Sequence, residues 1–430
     1  DMHMEKKDNP NFDIGNFVRE GCFDIVGVYM VTAAFNNSIT IVSQIRKNSP
    51  HTVLVAGGPH PTASPEDTLN KSNFDIVVVG EGEETFAEIV AFSKIPERWA
   101  VIKGIYFKTS TGNIVKTEIR EPIRNLDLIP FPAMDLIRLE KYPPYDLGMN
   151  IKGYLPILTS RGCPYPCIFC AKVYGNILRK RSVENVIAEI EYCIKKYNIR
   201  NFYIQDDSFT LDKRRVIKFC NLLIEKKLNI KWWALSRADI DVDILDKMKE
   251  SGCISLAFGI ESGDPEVLKI VNKKLDLDKA RKTVRYAKQL GITVRFFIMV
   301  GLPRQDKRSI NMTIDFIREM KPDVVTVNIL TPYLNAPIYD SLSSHGIEMI
   351  VDETPQGFEN FQHSIEEERV VISTEWLSSE EILSEAKRIS GVFREMQNCK
   401  AQTQDFSSDN GGKEEKSSSP INDFASSSPI

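Results

Sequence analysis

At 430 residues, 42% of them hydrophobic, the chain is long enough for more than one packed core, and its formal net charge of -4 lacks the basic excess that binding to nucleic-acid phosphates brings. No apolar run approaches the length of a membrane-spanning helix, and the polar, charged first residues do not resemble a secretory signal. Eight cysteines, three of them crowded into residues 163–170, fit a reducing cytoplasm better than a secreted disulfide scaffold.

The opening Asp1-Met2-His3-Met4 reads as the end of an element already under way, so the chain is expected to be a fragment. Three apolar, β-rich runs follow with helical spacers: Phe23 to Met30, Thr52 to Ala56 and Phe74 to Val79. Strands this apolar are buried on both faces, which predicts a parallel sheet with helices on each side, a flavodoxin- or Rossmann-like α/β domain over residues 1–95. Each run ends in small or flexible residues: Thr32-Ala33-Ala34, Gly57-Gly58-Pro59-His60 and Gly80-Glu81-Gly82-Glu83. In an open α/β sheet a ligand crevice lies at such carboxyl ends, where glycine lets it approach the backbone. His60 reads as a polar surface group on its loop.

Residues 96–152 read as a connector. Val101 to Thr109 and Asn113 to Glu121 alternate around a Thr-Gly-Asn turn and predict a hairpin, and the run from Asn125 to Pro132 predicts an extended crossing segment.

From Leu155 strand and helix alternate, with strands expected near 155–160, 201–205, 231–236, 254–260, 293–300 and 323–330. Six such units predict a partial (β/α)6 barrel over 153–335, with chemistry at the carboxyl-terminal mouth. Ser182 and Asp212 are suited to cap helices, and Cys193, Cys220 and Cys253 read as core.

After the first barrel strand comes Arg161-Gly162-Cys163-Pro164-Tyr165-Pro166-Cys167-Ile168-Phe169-Cys170. A disulfide would use two of these thiols and strand the third. Tetrahedral zinc wants a fourth ligand, yet the histidines lie far away in sequence at 3, 51, 60, 345 and 363. An iron-sulfur cube would be held on three irons, leaving the fourth open to a chelating small molecule. A chance run of buried cysteines is the bland alternative.

At the next strand ends stand Asp206-Asp207, suited to capping a helix or to accepting hydrogen bonds from an ammonium group. Arg237 is shaped to grip a carboxylate or to pair with Asp239 or Asp241. Phe258-Gly259-Ile260-Glu261-Ser262-Gly263 and Phe297-Ile298-Met299-Val300-Gly301-Leu302-Pro303 close the fourth and fifth strands. Residues 336–398, with apolar periodicity over Glu380 to Phe393, predict a helical extension, and the polar composition of 399–430 predicts disorder.

The spacing Cys163-xxx-Cys167-xx-Cys170, with Phe169 before the last cysteine, resembles the signature of the radical S-adenosylmethionine (radical SAM) enzymes, and the likeness runs over residues 20–345. The domain ahead of it resembles the cobalamin-binding domain that precedes many barrels of this family. The resemblance implies a [4Fe-4S] cluster on Cys163, Cys167 and Cys170, with S-adenosylmethionine on its open iron. Phe169 would lie beside that ligand, Asp206 or Asp207 would bind its amino group, Arg237 its carboxylate, Glu261 or Ser262 its ribose, and the backbone at Gly301 its adenine. Thr32, Gly57, Gly58, Gly80, Glu81 and Gly82 would line the cobalamin.

Two departures stand out. His3 begins like the Asp-x-His-x-x-Gly pattern of a cobalt-binding histidine, but Lys6 replaces its glycine, so His3 is not assigned as a ligand. The family's Thr-Pro-x-Pro-Gly-Thr segment is here Thr331-Pro332-Tyr333-Leu334-Asn335-Ala336-Pro337, where Asn335 is expected to take over the glycine's positive φ.

The activity implied is reductive cleavage of S-adenosylmethionine to a 5'-deoxyadenosyl radical, with methyl transfer to an unactivated carbon or phosphorus as the net reaction. Ring closure or rearrangement is the alternative within the family. A non-catalytic electron-transfer or sensor protein and a zinc-stapled binding module are the alternatives outside it. The expected partners are a small-molecule substrate and a flavodoxin or ferredoxin as reductant.

Overall fold

The three apolar N-terminal runs form parallel strands β1 (Ile25–Tyr29), β2 (Val53–Gly57) and β3 (Ile76–Val78). Their alternation sorts the side chains into two cores: Leu54, Ala56 and Val77 pack with Val42 and Ile45 of the helix Phe35–Asn48, while Val55, Ile76 and Val78 pack with Ile89 and Trp99. Burial on both faces is why these runs show no polar alternation. The computed structural model describes residues 9, 11–141, 151, 153–350 and 370–408. His3 lies outside the described residues.

The expected hairpin forms as β4 (Ile105–Lys108) and β5 (Ile114–Lys116), turning at Gly112 with φ of 83°. It belongs to the first sheet, since β4 pairs antiparallel with β3, giving the order β1-β2-β3-β4-β5.

Strand β6 (Tyr154–Ile157) opens the second body. It is followed by two short strands, β7 (Ser160–Arg161) and β8 (Arg179–Lys180), that pair only with each other in an antiparallel ribbon. Then come β9 (Asn201–Ile204), β10 (Lys231–Ser236), β11 (Cys253–Glu261), β12 (Thr293–Val300) and β13 (Val324–Ile329). These six strands are parallel in the order β6-β9-β10-β11-β12-β13, with β6 and β13 as edges among the described residues. Along β12, Val294, Phe296, Ile298 and Val300 are fully buried with the helices, and the intervening Phe297 and Met299 are half-buried on the other face. Ser182 and Asp212 cap their helices as expected, accepting from the Asn185 and Arg215 amides at 3.1 Å each. Cys193, Cys220 and Cys253 are core residues.

The extension adds an antiparallel ribbon, β14 (Ile347–Met349) with β15 (Ile372–Thr374), and a long helix, Ser379–Ser408. Ile382, Ala386 and Ile389 of that helix join the barrel core, and Arg388 donates to Asn311 at 2.9 Å. The helix continues through the stretch from 399 to 408 that composition assigns to disorder; 409–430 lie outside the described residues. Among the described residues no helix is long and apolar enough to cross a membrane.

The two glycines that end β2 differ in their demands. Gly58 has φ of 111°, and a Cβ there would sit 2.7 Å from the Met30 carbonyl oxygen, whereas a Cβ on Gly57 would meet nothing within 4 Å. Gly58→Ala is expected to destabilise the protein by about 2 kcal/mol or more, and Gly57→Ala by no more than about 0.5 kcal/mol. Urea unfolding of the two variants side by side checks this.

Candidate functional site

The three motif cysteines lie on the loop between β7 and β8, residues 162–178. The loop begins at Gly162, whose φ of 89° and position against the Ile177 carbonyl leave no room for a side chain. Its backbone is anchored at several points: Gly162 N donates to Asp207 Oδ2 (3.0 Å), Ile168 N to the Val271 carbonyl (3.1 Å), and Ile338 N to the Ile168 carbonyl (2.9 Å). Cys167 is buried, Cys163 half-buried and Cys170 exposed, all as free thiols.

Burial raises the Cys167 thiol, while Lys273 and Arg237 beside it pull the other way. Burial of its sulfur raises the Cys170 thiol, a hydrogen bond with the Lys172 backbone opposes the rise, and Asp207, Cys167 and Cys163 add to it. Among the described residues, no three His, Cys, Asp or Glu side chains already converge as a metal-ligand set. Phe169 packs against the barrel core with the Lys273 ammonium 5.8 Å from its ring centre.

The barrel rim separates the candidates that look alike in sequence. Asp206 is fully buried and accepts four hydrogen bonds, from Thr159 N (2.6 Å) and Oγ1 (2.5 Å) and from Ser160 N (3.0 Å) and Oγ (2.6 Å). Burial raises its carboxyl, those donors oppose the rise, and its oxygens hold the rim together, out of reach of a ligand's ammonium. Asp207, next to it in the loop after β9, is exposed and accepts from the Gly162 amide.

Arg237 forms the ion-pair alternative. It bonds Asp239 through two nitrogens (2.9 and 2.7 Å), donates to the Lys273 and Lys274 carbonyls, and stacks 3.8 Å over the Tyr165 ring. A guanidinium so engaged is not free to grip a carboxylate. Glu261, at φ of 65°, pairs with Lys273 at 2.8 Å. Ser262 is fully buried and bonds the Asp264 amide and Thr313. Gly301 has φ of 89° and donates to Gln305 Oε1 (2.8 Å), while Gln305 Nε2 returns a bond to the Met299 carbonyl (2.9 Å). Gln305 shapes this turn and escaped sequence reasoning; its place two residues after Gly301-Leu302-Pro303 is the only signal.

In the first domain, Thr32 Oγ1 lies 3.3 Å from His60 Nδ1. His60 is fully buried against Phe35, with Nε2 lacking a partner, which corrects its reading as a surface group. Gly57 and Gly80 face open space, and Gly82 precedes the helix Glu83–Ala91. The Glu81 carboxylate bonds Arg179 through both oxygens (2.7 and 2.8 Å) and the Ile123 amide (2.7 Å), and lies 3.1 Å from Arg161. Burial pushes this carboxyl up, but Arg179, the Ile123 amide and Arg161 hold it below the ordinary value.

The carboxyl ends of both sheets meet at one mainly apolar cavity of about 580 Å³ including its open mouth. Val31, Thr32, Ala33, Pro59 and Ala63 line it from the first domain, Ala171 and Val173 from the cysteine loop, and Tyr333, Leu334 and Asn335 from the segment after β13. Asn335 does not take the positive φ expected of it; its amide faces the Pro59 carbonyl at 3.5 Å, across the domain boundary.

Comparison with known proteins agrees with this layout. A family model of the radical SAM superfamily matches residues 157–317, and one of the B12 binding domain matches residues 3–90. The chain is 32% identical over 333 residues to an uncharacterized methyltransferase of Pyrococcus horikoshii, covering 76% of this chain and 71% of that one. It is 27% identical to the anaerobic magnesium-protoporphyrin IX monomethyl ester cyclase of Rubrivivax gelatinosus, over 74% of this chain but only 58% of the relative. In fold it resembles the radical S-adenosylmethionine methyltransferase TsrM of Kitasatospora setae (TM-score 0.64, 17% identity), covering 87% of this chain and 78% of that one.

Two outcomes are expected from this geometry. Asp206→Asn replaces an acceptor of four bonds by a group that is itself partly a donor, and should lower stability by about 3 kcal/mol in urea unfolding. Burial lowers His60 from 6.5 to about 4, against the pull of Asp67. The unfolded chain therefore takes up the proton first as pH falls, so the stability held by neutral His60 is complete above about 6.5 and lost toward 4. Between pH 6.5 and 5 the protein should lose about 2 kcal/mol that His60→Gln does not lose.

Proposed function

This chain belongs to the radical SAM superfamily, with a B12 binding domain ahead of its barrel, and on that premise we propose that it is a cobalamin-dependent methyltransferase acting on an unactivated carbon or phosphorus of a small molecule. The observation that supports the reading most is the cavity to which the cysteine loop, the B12 domain and the end of β13 all contribute.

The donor sets suit the groups the family uses. Three thiols on one loop, with Arg237 and Lys273 offsetting negative charge near Cys167, suit a [4Fe-4S] cluster held by Cys163, Cys167 and Cys170. An apolar cavity with open backbone at the β2 and β3 ends suits cobalamin. When bound, the cluster supplies the electron that cleaves S-adenosylmethionine, and cobalamin supplies a transferable methyl group.

The protein's own residues position and shield. Asp207, exposed beside the loop, is the carboxylate we assign to the ammonium of S-adenosylmethionine, with Asp206 behind it fixing Thr159 and Ser160. The Gly301 turn, held by Gln305, would offer backbone to adenine, and Glu261, oriented by Lys273, would serve the ribose. Val31, Val173 and Leu334 line the space between the domains with apolar surface. A flavodoxin- or ferredoxin-type reductant in a reducing cytoplasm fits such a site.

Ring closure is the second reading, favoured by the likeness to the anaerobic cyclase. The chain spans 71% and 58% of these two relatives, so the net reaction is assigned only by class.

The test is anaerobic: reconstitute with iron and sulfide, reduce with dithionite, add S-adenosylmethionine, and assay 5'-deoxyadenosine. Wild type should form it and Cys167→Ala should not; no product from a protein with a full, reducible cluster would overturn the assignment. Asp207→Asn should keep its cluster and raise the KM for S-adenosylmethionine about tenfold, as loss of one charge-assisted contact predicts.

A further inference from the structure

We propose that Glu81 is a positioning residue that clamps the neck of the cysteine loop. Arg161 and Arg179 stand opposite each other in the β7–β8 ribbon, at the start and just past the end of residues 162–178. A ribbon of two residues per strand does not hold itself together, and two like charges placed opposite repel. One carboxylate from the other domain answers both problems. Glu81 Oε1 lies 2.7 Å from Arg179 Nη2 and 3.1 Å from Arg161 Nη1, while Oε2 accepts from Arg179 Nη1 at 2.8 Å and from the Ile123 amide at 2.7 Å.

The three side chains are each only 10–11% exposed, so the pairing is shielded from solvent. Glu83 supplies a second carboxylate to Arg161, which balances two guanidiniums with two acids. Arg179 also donates to the Ile123 and Tyr174 carbonyls, binding connector and loop to the same point. The neck of the loop therefore closes only when the first domain is docked. The importance of this for catalysis rests on the reading that the loop carries the cluster; the clamp itself does not.

The experiment is amide hydrogen exchange on the full chain without added iron, comparing wild type, Glu81→Gln and Glu81→Asp. Glu81→Gln keeps shape and loses charge, and exchange in 162–178 should rise about tenfold while β12 stays protected. Glu81→Asp keeps the charge but cannot span both arginines, and should fall between the two. If Glu81→Gln does not fold, the aspartate variant carries the comparison. Unchanged loop exchange in the variants, or a rise spread evenly through the barrel, would overturn the proposal. A wild type that forms no cluster would instead sink the functional reading and leave the exchange result standing.

Discussion

One buried carboxylate, Asp206, organises the mouth of the barrel. It sits two residues past the end of β9 and takes four hydrogen bonds from Thr159 and Ser160, which follow β6 and lead into the cysteine loop. Arg215 braces the same segment through the Thr159 carbonyl and hydroxyl. Asp207, next to Asp206, takes the Gly162 amide. Two adjacent acids thus grip one short stretch, residues 159–162, that leads into the loop.

The second constraint is that the parallel strands β1 to β3 of the first sheet and the parallel strands of the barrel present their carboxyl ends to each other. A parallel sheet gathers its flexible, ligand-facing turns on one rim, and here the rims of both domains border the same cavity. An electrostatic tie joins the two bodies through Glu81, Glu83, Arg161 and Arg179. Such buried pairs add little over apolar packing when intact, but breaking one costs about 3 kcal/mol or more. They fix register between the bodies, and the loop lies at the point they fix.

The strands were legible in the sequence because apolar runs of that length have few alternatives: five of the six expected barrel strands lie within a residue of their positions, while β6 ends at Ile157, short of the expected 160. The spacing of the three cysteines put them on one loop, which the structure shows between β7 and β8. What spacing cannot carry is which way a side chain points and what has already bonded it. Asp206 and Asp207 are neighbours in sequence, yet one is sealed inside the rim and the other exposed. Arg237 had its acidic partner in view at Asp239, but the Lys273 and Lys274 carbonyls that complete its bonding come from another element. Glu81 sits in a turn that suits a ligand, and its true partners lie some eighty and a hundred residues on. His60 was misread because burial by Phe35 and Thr32 is a tertiary fact.

On this reading two cofactor sites face each other across the interdomain cavity. The most direct measurement is pulsed electron paramagnetic resonance on protein loaded with both cob(II)alamin and the reduced cluster. A dipolar coupling between the two spins, absent when either is omitted, is the predicted result. Stoichiometric loading of both without any coupling would place them apart and contradict the account.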